Sequence, residues 1–153
     1  MKVLGVRTAP TQLRYALLFF FNSDVTFLNK DSEHLIKVPA NLKEDNDKLV
    51  WQKREIDRVL RQNSDTSKVI LKVGEYGKSD SKSNRLAAYF DAAVILSVKE
   101  VGIEVETKIY VQLQTKRSQV KNDAEAKVAK TSKYWNEQIA DAILAALSAR
   151  TIQ

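Results

Sequence analysis

The feature that most constrains the fold of this 153-residue chain is an apolar run near its start, residues 13–21, LRYALLFFF. A strand that faces water on one side alternates apolar and polar residues, whereas a strand covered on both faces is apolar almost throughout. We therefore predict that residues 13–21 form an interior β-strand of a sheet that carries helices on both faces. The unbroken apolar part, residues 15–21, is far too short to cross a bilayer as a helix.

Further strands are predicted on either side of this run. Residues 2–7 (KVLGVR) form a strand that ends before a turn containing Pro10, a residue that cannot donate to a ladder. Residues 25–28 and 34–38 predict a third strand that is weak or broken in two. Residues 68–73 (KVILKV) and 104–113 predict the fourth and fifth strands.

Helical periodicity appears between and after these strands. Residues 45–62 place Leu49, Ile56, Val59 and Leu60 on one stripe, with Trp51 beside it. A second helix runs from a cap at Asn84 to residue 101, where Gly102 ends it. Two more are predicted at about 117–129 and 134–149. No repeat or linker divides the chain, so we expect a single α/β domain over residues 1–153, with a mixed five-stranded sheet in the order β-β-β-α-β-α-β-α.

Composition excludes several kinds of site. The chain has no cysteine, so disulfides and thiolate metal sites are ruled out, and its only histidine, His34, has no second histidine to share a zinc ion. No secretory signal is recognisable at the N-terminus. We expect a cytoplasmic protein that does not engage a membrane.

Positive charge is concentrated in one segment. The formal net charge is +6, and residues 108–133 hold seven Lys and Arg against two acidic residues. Lys116, Arg117, Lys121 and Lys127 are the candidate contacts to a phosphate backbone. The alternative is that these residues form a solvated helical face with no ligand.

Four short stretches resemble the RuvC-type Holliday-junction resolvases. Residues 4–10 (LGVRTAP) are similar to the family's first strand, apolar-Gly-apolar-Asp-Pro-Gly, and 69–72 (VILK) to its fourth, which ends on Glu. Residues 140–145 (ADAILA) resemble its last helix and 115–121 (TKRSQVK) its basic segment. The whole arrangement resembles most closely small uncharacterised bacterial proteins with a degenerate ribonuclease-H-like domain. The resemblance implies a ribonuclease-H-like fold with a central first strand.

The resemblance also implies a chemistry, phosphodiester hydrolysis by two Mg²⁺ ions held between carboxylates. Carried over residue by residue, the first Asp falls on Arg7 and the Glu on Lys72, while Asp141 alone stays acidic and Gln138 lies one turn earlier. Cations at these positions repel Mg²⁺. We therefore expect no metal, no cofactor and no catalytic residue, and an ion pair between Asp141 and Arg7 or Lys72.

Two other interpretations of these positions stay open. Arg7 and Lys72 could together bind phosphate in the former active-site groove that the resemblance implies. Alternatively, the register could place Glu75 in that groove in place of Lys72. The tyrosines at 76, 89, 110 and 134 could stack on bases, although core or interface packing is favoured.

The functional prediction is a catalytically inactive ribonuclease-H-like domain that serves as a nucleic-acid-binding or scaffold module, with DNA or RNA as partner. The first alternative is a protein-interaction or regulatory subunit that binds no nucleic acid. The second is a divergent metal-dependent nuclease. The oligomeric state is left open, with a homodimer as one option.

Overall fold

The computed structural model describes residues 1–77 and 79–150, which form six strands and four helices. The strands are β1 (Lys2–Ala9), β2 (Gln12–Phe21), β3 (Asp24–Phe27), β4 (Leu35–Lys37), β5 (Lys68–Lys72) and β6 (Glu104–Lys108). The helices are α1 (Asp45–Gln62), α2 (Lys82–Glu100), α3 (Val120–Lys127) and α4 (Glu137–Ser148).

The sheet is mixed, with strand order β3-β2-β1-β5-β6, and β4 also pairs with β2. β1 is central; it runs antiparallel to β2 and parallel to β5, which in turn runs parallel to β6. The α/β prediction with helices on both faces is confirmed, and β2 is the interior strand that its apolar run indicates.

The number of strands differs from the prediction, because the third strand is divided into β3 and β4 and the sheet has six strands. Between them the chain leaves the ladder, and the side chain of Asn29 takes over its hydrogen bonds. Its Oδ1 accepts from the Leu17 amide at 2.7 Å and its Nδ2 donates to the Tyr15 carbonyl at 3.1 Å. A buried backbone needs such partners, and a side-chain substitute cannot be recognised from strand propensity.

Each face of the sheet has its own apolar core. Leu13, Tyr15 and Leu17 of β2 belong to the cluster that includes residues of α1 and α2, whereas Ala16 packs against α3 and α4. α4 lies very close to β1 at Gly5, where an added Cβ would lie 1.8 Å from the carbonyl oxygen of Ala142. Only glycine allows this approach.

Several predicted element ends were wrong. The strand predicted over 104–113 stops at Lys108, because Gln112 turns back and its side chain accepts from the Ile109 amide at 2.9 Å, in a 3-10 turn over Tyr110–Leu113. α2 is capped by Ser81, not by Asn84, since the Ser81 hydroxyl accepts from the Asn84 amide. α3 and α4 are shorter than predicted.

No helix within residues 1–77 and 79–150 has the length and apolar character required to span a membrane.

Candidate functional site

Four basic residues form a row across the sheet, at the edge where β1, β5 and β6 end. Arg14 pairs in register with Arg7, Arg7 with Lys72, and Lys72 with Lys108. Directly paired residues on neighbouring strands project from the same face, and these four face α4. We call Arg14, Arg7, Lys72 and Lys108 the cation row.

Arg7 is held by a carboxylate and a carbonyl. Its Nε lies 3.2 Å from Oδ2 of Asp141 on α4, and its Nη1 donates to the Lys72 carbonyl at 3.1 Å. The Nε–H is not aligned with the carboxylate, so the contact with Asp141 is ionic and not a hydrogen bond. The other oxygen of Asp141 accepts from the Tyr110 hydroxyl at 2.8 Å.

Lys72 is almost fully buried, with 1% of its surface exposed. Its Nζ donates to the Val73 carbonyl at 2.6 Å and to Oε1 of Glu75 at 3.0 Å. The same ammonium lies 3.9 Å from the centre of the Tyr110 ring, within the range of a cation–π contact. Oε1 of Glu75 also accepts from the Tyr110 amide at 2.9 Å. Tyr110 therefore contacts both ion pairs, through its hydroxyl to Asp141 and through its amide to Glu75.

The two outer cations of the row are also held by oxygen atoms. Nη1 of Arg14 donates to the Tyr134 carbonyl at 2.6 Å. Nζ of Lys108 lies 3.6 Å from Oε2 of Glu106 and 3.5 Å from the Ser148 carbonyl. Every member of the row therefore has an oxygen partner within the protein.

Burial and neighbouring charges oppose each other in this network. Burial raises the pKa of Asp141, while Arg7 and the Tyr110 hydroxyl lower it in part. Burial lowers the pKa of Lys72, and Arg7 adds to that effect, whereas Glu75 and Asp141 raise it. In both groups burial is the largest cause of the pKa shift, and the oppositely charged partner offsets it in part.

A further carboxylate lies on the opposite face, where the sequence prediction missed it. Asp91 on α2 accepts a hydrogen bond from the Thr8 hydroxyl. Burial raises the pKa of Asp91 to about 6, although Thr8, Arg7 and Lys72 act to lower it. The signal in the sequence was a single acidic residue on the apolar face of α2, directly after Phe90.

A groove beside Asp141 gathers all four residues that the resemblance identified as degenerate metal positions. Arg7, Lys72, Gln138 and Asp141 line it together with Glu75, Tyr110, Arg117 and Glu137. Gln138 accepts a hydrogen bond from the Gln12 side chain. The sequence left open whether Lys72 or Glu75 lies in the groove, and in the structure both residues line it. Sequence reasoning missed Arg14 and Tyr110 as members of this network.

The candidate phosphate contacts of the basic segment do not all lie at the groove. Arg117 lies at the groove, where its Nε is 2.8 Å from Oε2 of Glu137, while Lys116 and Lys121 are exposed nearby in sequence. Lys127 instead lines a pocket with Leu147 and Ser148, at the far end of α4. The structure thus places Lys127 and Arg117 at different pockets.

The groove does not fit the two Mg²⁺ ions that the resemblance implies. Its carboxylates Asp141, Glu75 and Glu137 each have a cation within 3.2 Å. Across residues 1–77 and 79–150, no three His, Asp or Glu side chains are grouped so that they could hold a metal ion. Mg²⁺ requires a nearly octahedral set of oxygen ligands, whereas Arg7 and Lys72 stand at two of the positions where the resemblance implies carboxylates.

Two solved structures of RuvC are similar to this chain over nearly its whole length. The Thermus thermophilus RuvC structure superposes with a TM-score of 0.77 at 14% identity, covering 97% of this chain and 92% of that one. T. thermophilus RuvC in complex with Holliday junction substrate gives 0.78 at 15% identity, with 99% and 97% covered. This chain has the ribonuclease-H-like fold of RuvC. A Fowlpox virus resolvase complexed with Holliday junction DNA is more distant, with a TM-score of 0.58 at 14% identity and 100% of both chains covered.

Sequence comparison adds nothing to this result, since no family model matches the chain. No curated protein matches it either. The resemblance to RuvC-type resolvases is therefore supported at the level of the fold. The expected closeness to uncharacterised bacterial proteins with a degenerate domain stays a prediction.

Proposed function

We propose that this chain is a catalytically inactive ribonuclease-H-like domain that binds nucleic acid. The proposal rests on two ion pairs in the groove, Arg7 with Asp141 and Lys72 with Glu75. They stand where the resemblance implies metal-binding carboxylates. A buried ion pair satisfies the remaining carboxylate without a metal and leaves no place for one.

Loss of catalysis follows from electrostatics. Two Mg²⁺ ions are stable near each other only when several carboxylates converge on them. Arg7 and Lys72 add two positive charges at the same place, and the ammonium of Lys72 is fixed by a carbonyl, a carboxylate and an aromatic ring. Mg²⁺ would have to displace these contacts against repulsion.

Nucleic-acid binding is supported by the fold and by charge. Two of the similar proteins were solved with Holliday-junction DNA. This chain carries a net charge of +6, and Lys116, Lys121 and Lys133 project into solvent from the region before α4. Exposed lysines of this kind attract phosphates at long range.

The test is a fluorescence-anisotropy titration of the whole chain with single-stranded, duplex and four-way-junction DNA and with RNA, at about 20 mM salt, where screening is weak. The same labelled substrates are then incubated with millimolar Mg²⁺ or Mn²⁺ and separated on denaturing gels. We expect binding that weakens steeply with salt, and no cleavage. Metal-dependent cleavage that Asp141→Asn abolishes would show a divergent nuclease.

Thermal unfolding gives an independent check on the metal. A ligand stabilises a protein in proportion to its occupancy of the folded state, so millimolar Mg²⁺ should leave the unfolding midpoint unchanged. A saturable rise that is lost in Asp141→Asn would contradict the proposal.

A second candidate function, a protein-interaction module, is favoured by one observation. Val50, Tyr89 and Leu96 are exposed side by side in an apolar groove between α1 and α2. Contiguous exposed apolar surface is typical of protein contact sites. Failure to bind any nucleic acid in the titration above would decide for this function.

A further inference from the structure

We infer that Tyr134, in the turn before α4, is a stacking platform for an unpaired base. The inference rests on the proposed nucleic-acid binding and specifies its form, namely a preference for single-stranded or branched nucleic acid. It derives from the backbone and surroundings of this one residue.

The backbone of Tyr134 is in an unusual conformation. Its φ of 58° lies in the left-handed region, where a bulky side chain is rare. Residues held in this region cost free energy, and they cluster at binding and catalytic sites. The result is that the ring is directed away from the core, with 60% of the residue exposed.

The turn that presents Tyr134 is fixed on both sides. Arg14, only 5% exposed, donates to the Tyr134 carbonyl at 2.6 Å. Before it, the buried Thr131 hydroxyl donates to the Lys133 carbonyl at 2.7 Å. After it, the Asn136 side chain caps α4 by accepting from the amides of Gln138 and Ile139. An exposed ring on a rigid turn loses little entropy when a ligand stacks on it.

The surroundings of the ring suit nucleic acid. Nζ of Lys37 lies 5.9 Å from the ring centre, and Lys133 is exposed next to it in the chain. The rings of His34 and Tyr134 are in a T-shaped contact, with centres 6.3 Å apart and planes inclined by 63°, and Tyr134 is still 60% exposed to a ligand. Burial, followed by the charge of Arg14, lowers the pKa of His34 and so favours its neutral form. An exposed aromatic ring with ammonium groups beside it matches a base and its phosphates.

The position also connects Tyr134 to the groove. Gln12 donates to Gln138, which lines the groove, and Gln12 pairs in register with Lys37 beside the Tyr134 ring. Bases inside a duplex already stack on both sides, so only an unpaired base or one at a branch point has a free face for Tyr134. This is why we infer single-stranded or branched partners.

The experiment compares Tyr134→Asn with Tyr134→Phe. Asn tolerates the left-handed conformation and removes the ring, whereas Phe keeps the ring and loses only the hydroxyl. Tyr134→Gly serves as a second ring-free variant that is compatible with the backbone. Tyr89→Ala is the matched control, because Tyr89 is an exposed tyrosine on α2, away from the groove beside Asp141 and on the opposite face of the sheet from α4. Thermal unfolding confirms that each variant is folded.

The probes are single-stranded DNA and a four-way junction, each with 2-aminopurine at an unpaired or branch position, and a plain duplex. Stacking of one base on an aromatic ring contributes about 1–3 kcal/mol, so the ring-free variants should bind the first two about 5- to 150-fold more weakly. They should also lose the quenching of 2-aminopurine. Duplex affinity and the salt slope should not change, because no charge is altered. Tyr134→Phe and Tyr89→Ala should behave as the unmodified chain.

Two results would overturn the inference, and only one of them would also overturn the proposed nucleic-acid binding. Unchanged single-strand and junction binding in both ring-free variants overturns the role of Tyr134 and leaves the proposed function standing. Absence of any complex with the unmodified chain overturns both.

Discussion

The molecule carries two groups of cations that differ in almost every physical respect. The cation row (Arg14, Arg7, Lys72 and Lys108) lies between the sheet and α4, and each member is bound by oxygen atoms of the protein. The basic segment before α4 projects Lys116 and Lys121 into solvent. A buried cation must be paired, whereas an exposed one costs little and stays available to a ligand. The inner group is therefore expected to act on stability, and the outer group on binding.

The largest effect on stability is expected for a substitution at Gly5, where α4 packs directly on β1. Gly5→Ala places a methyl group 1.8 Å from the Ala142 carbonyl oxygen, so α4 must move away from the sheet and take Asp141 with it. We expect a loss of more than about 3 kcal/mol in the free energy of unfolding, measured with urea. Gly74→Ala is the control, because its Cβ meets nothing within 4 Å. Equal stability of the two variants would contradict the described approach of α4.

The second expected effect separates inner from outer ion pairs directly. Asp141→Asn leaves Arg7 without its carboxylate, and breaking a buried pair costs about 3 kcal/mol. Glu137→Gln breaks the pair with Arg117, whose side chains are 76% and 42% exposed, and should cost about 0.5 kcal/mol. Urea unfolding of the two variants tests the difference. A similar small loss in both would mean that burial does not distinguish the two groups.

The third prediction concerns the pH dependence caused by Asp91, the buried carboxylate on the face of the sheet opposite the cation row. Burial raises the pKa of Asp91 in the folded state to about 6, above the ordinary value of 3.8. The folded state therefore binds the proton more tightly, so this group stabilises the fold below pH 3.8, and the contribution is lost as pH rises through 6.

Asp91→Asn should remove that dependence. Asn still accepts from Thr8 and never ionises, so the variant should match the unmodified chain near pH 3.5 and exceed its stability by about 3 kcal/mol at pH 7. Urea unfolding across this range is the measurement. A difference that does not vary with pH would show that Asp91 titrates at its ordinary value.

The smallest effect on stability is expected for the outer group. Replacing Lys116, Arg117 and Lys121 by Ala should change the free energy of unfolding by less than about 0.5 kcal/mol. The same variant should bind every nucleic acid more weakly, with a salt slope that is flatter by about 2, since Glu137 already neutralises Arg117 in part. The matched control replaces three exposed cations elsewhere: Lys43 in the loop before α1, Arg54 on α1 and Lys99 on α2. Equal loss of binding in both variants would mean that net charge, not this segment, attracts nucleic acid.

The features that the sequence predicted correctly depend on local patterns. The apolar run in β2 requires cover on both faces, and the periodicity between Asp45 and Gln62 defines α1 to the residue. Gly102, with a φ of 76°, follows α2 as the predicted terminating glycine. In each case neighbours in the chain carry the signal, because burial imposes a fixed period on a strand or a helix.

Only the tertiary structure decided which charged residues meet. Arg14 becomes part of the site because β2 pairs antiparallel to β1 in a register that sets it beside Arg7, and Tyr110 because β6 ends two residues before it. Asn29 divides a strand by supplying hydrogen bonds to residues twelve and more positions away. Register and side-chain substitution depend on contacts between distant segments, and residues that are far apart in the chain leave no periodic trace of those contacts. The sequence by itself determined the order and faces of the elements; the pairing of distant segments decided that four cations would form a row beside Asp141.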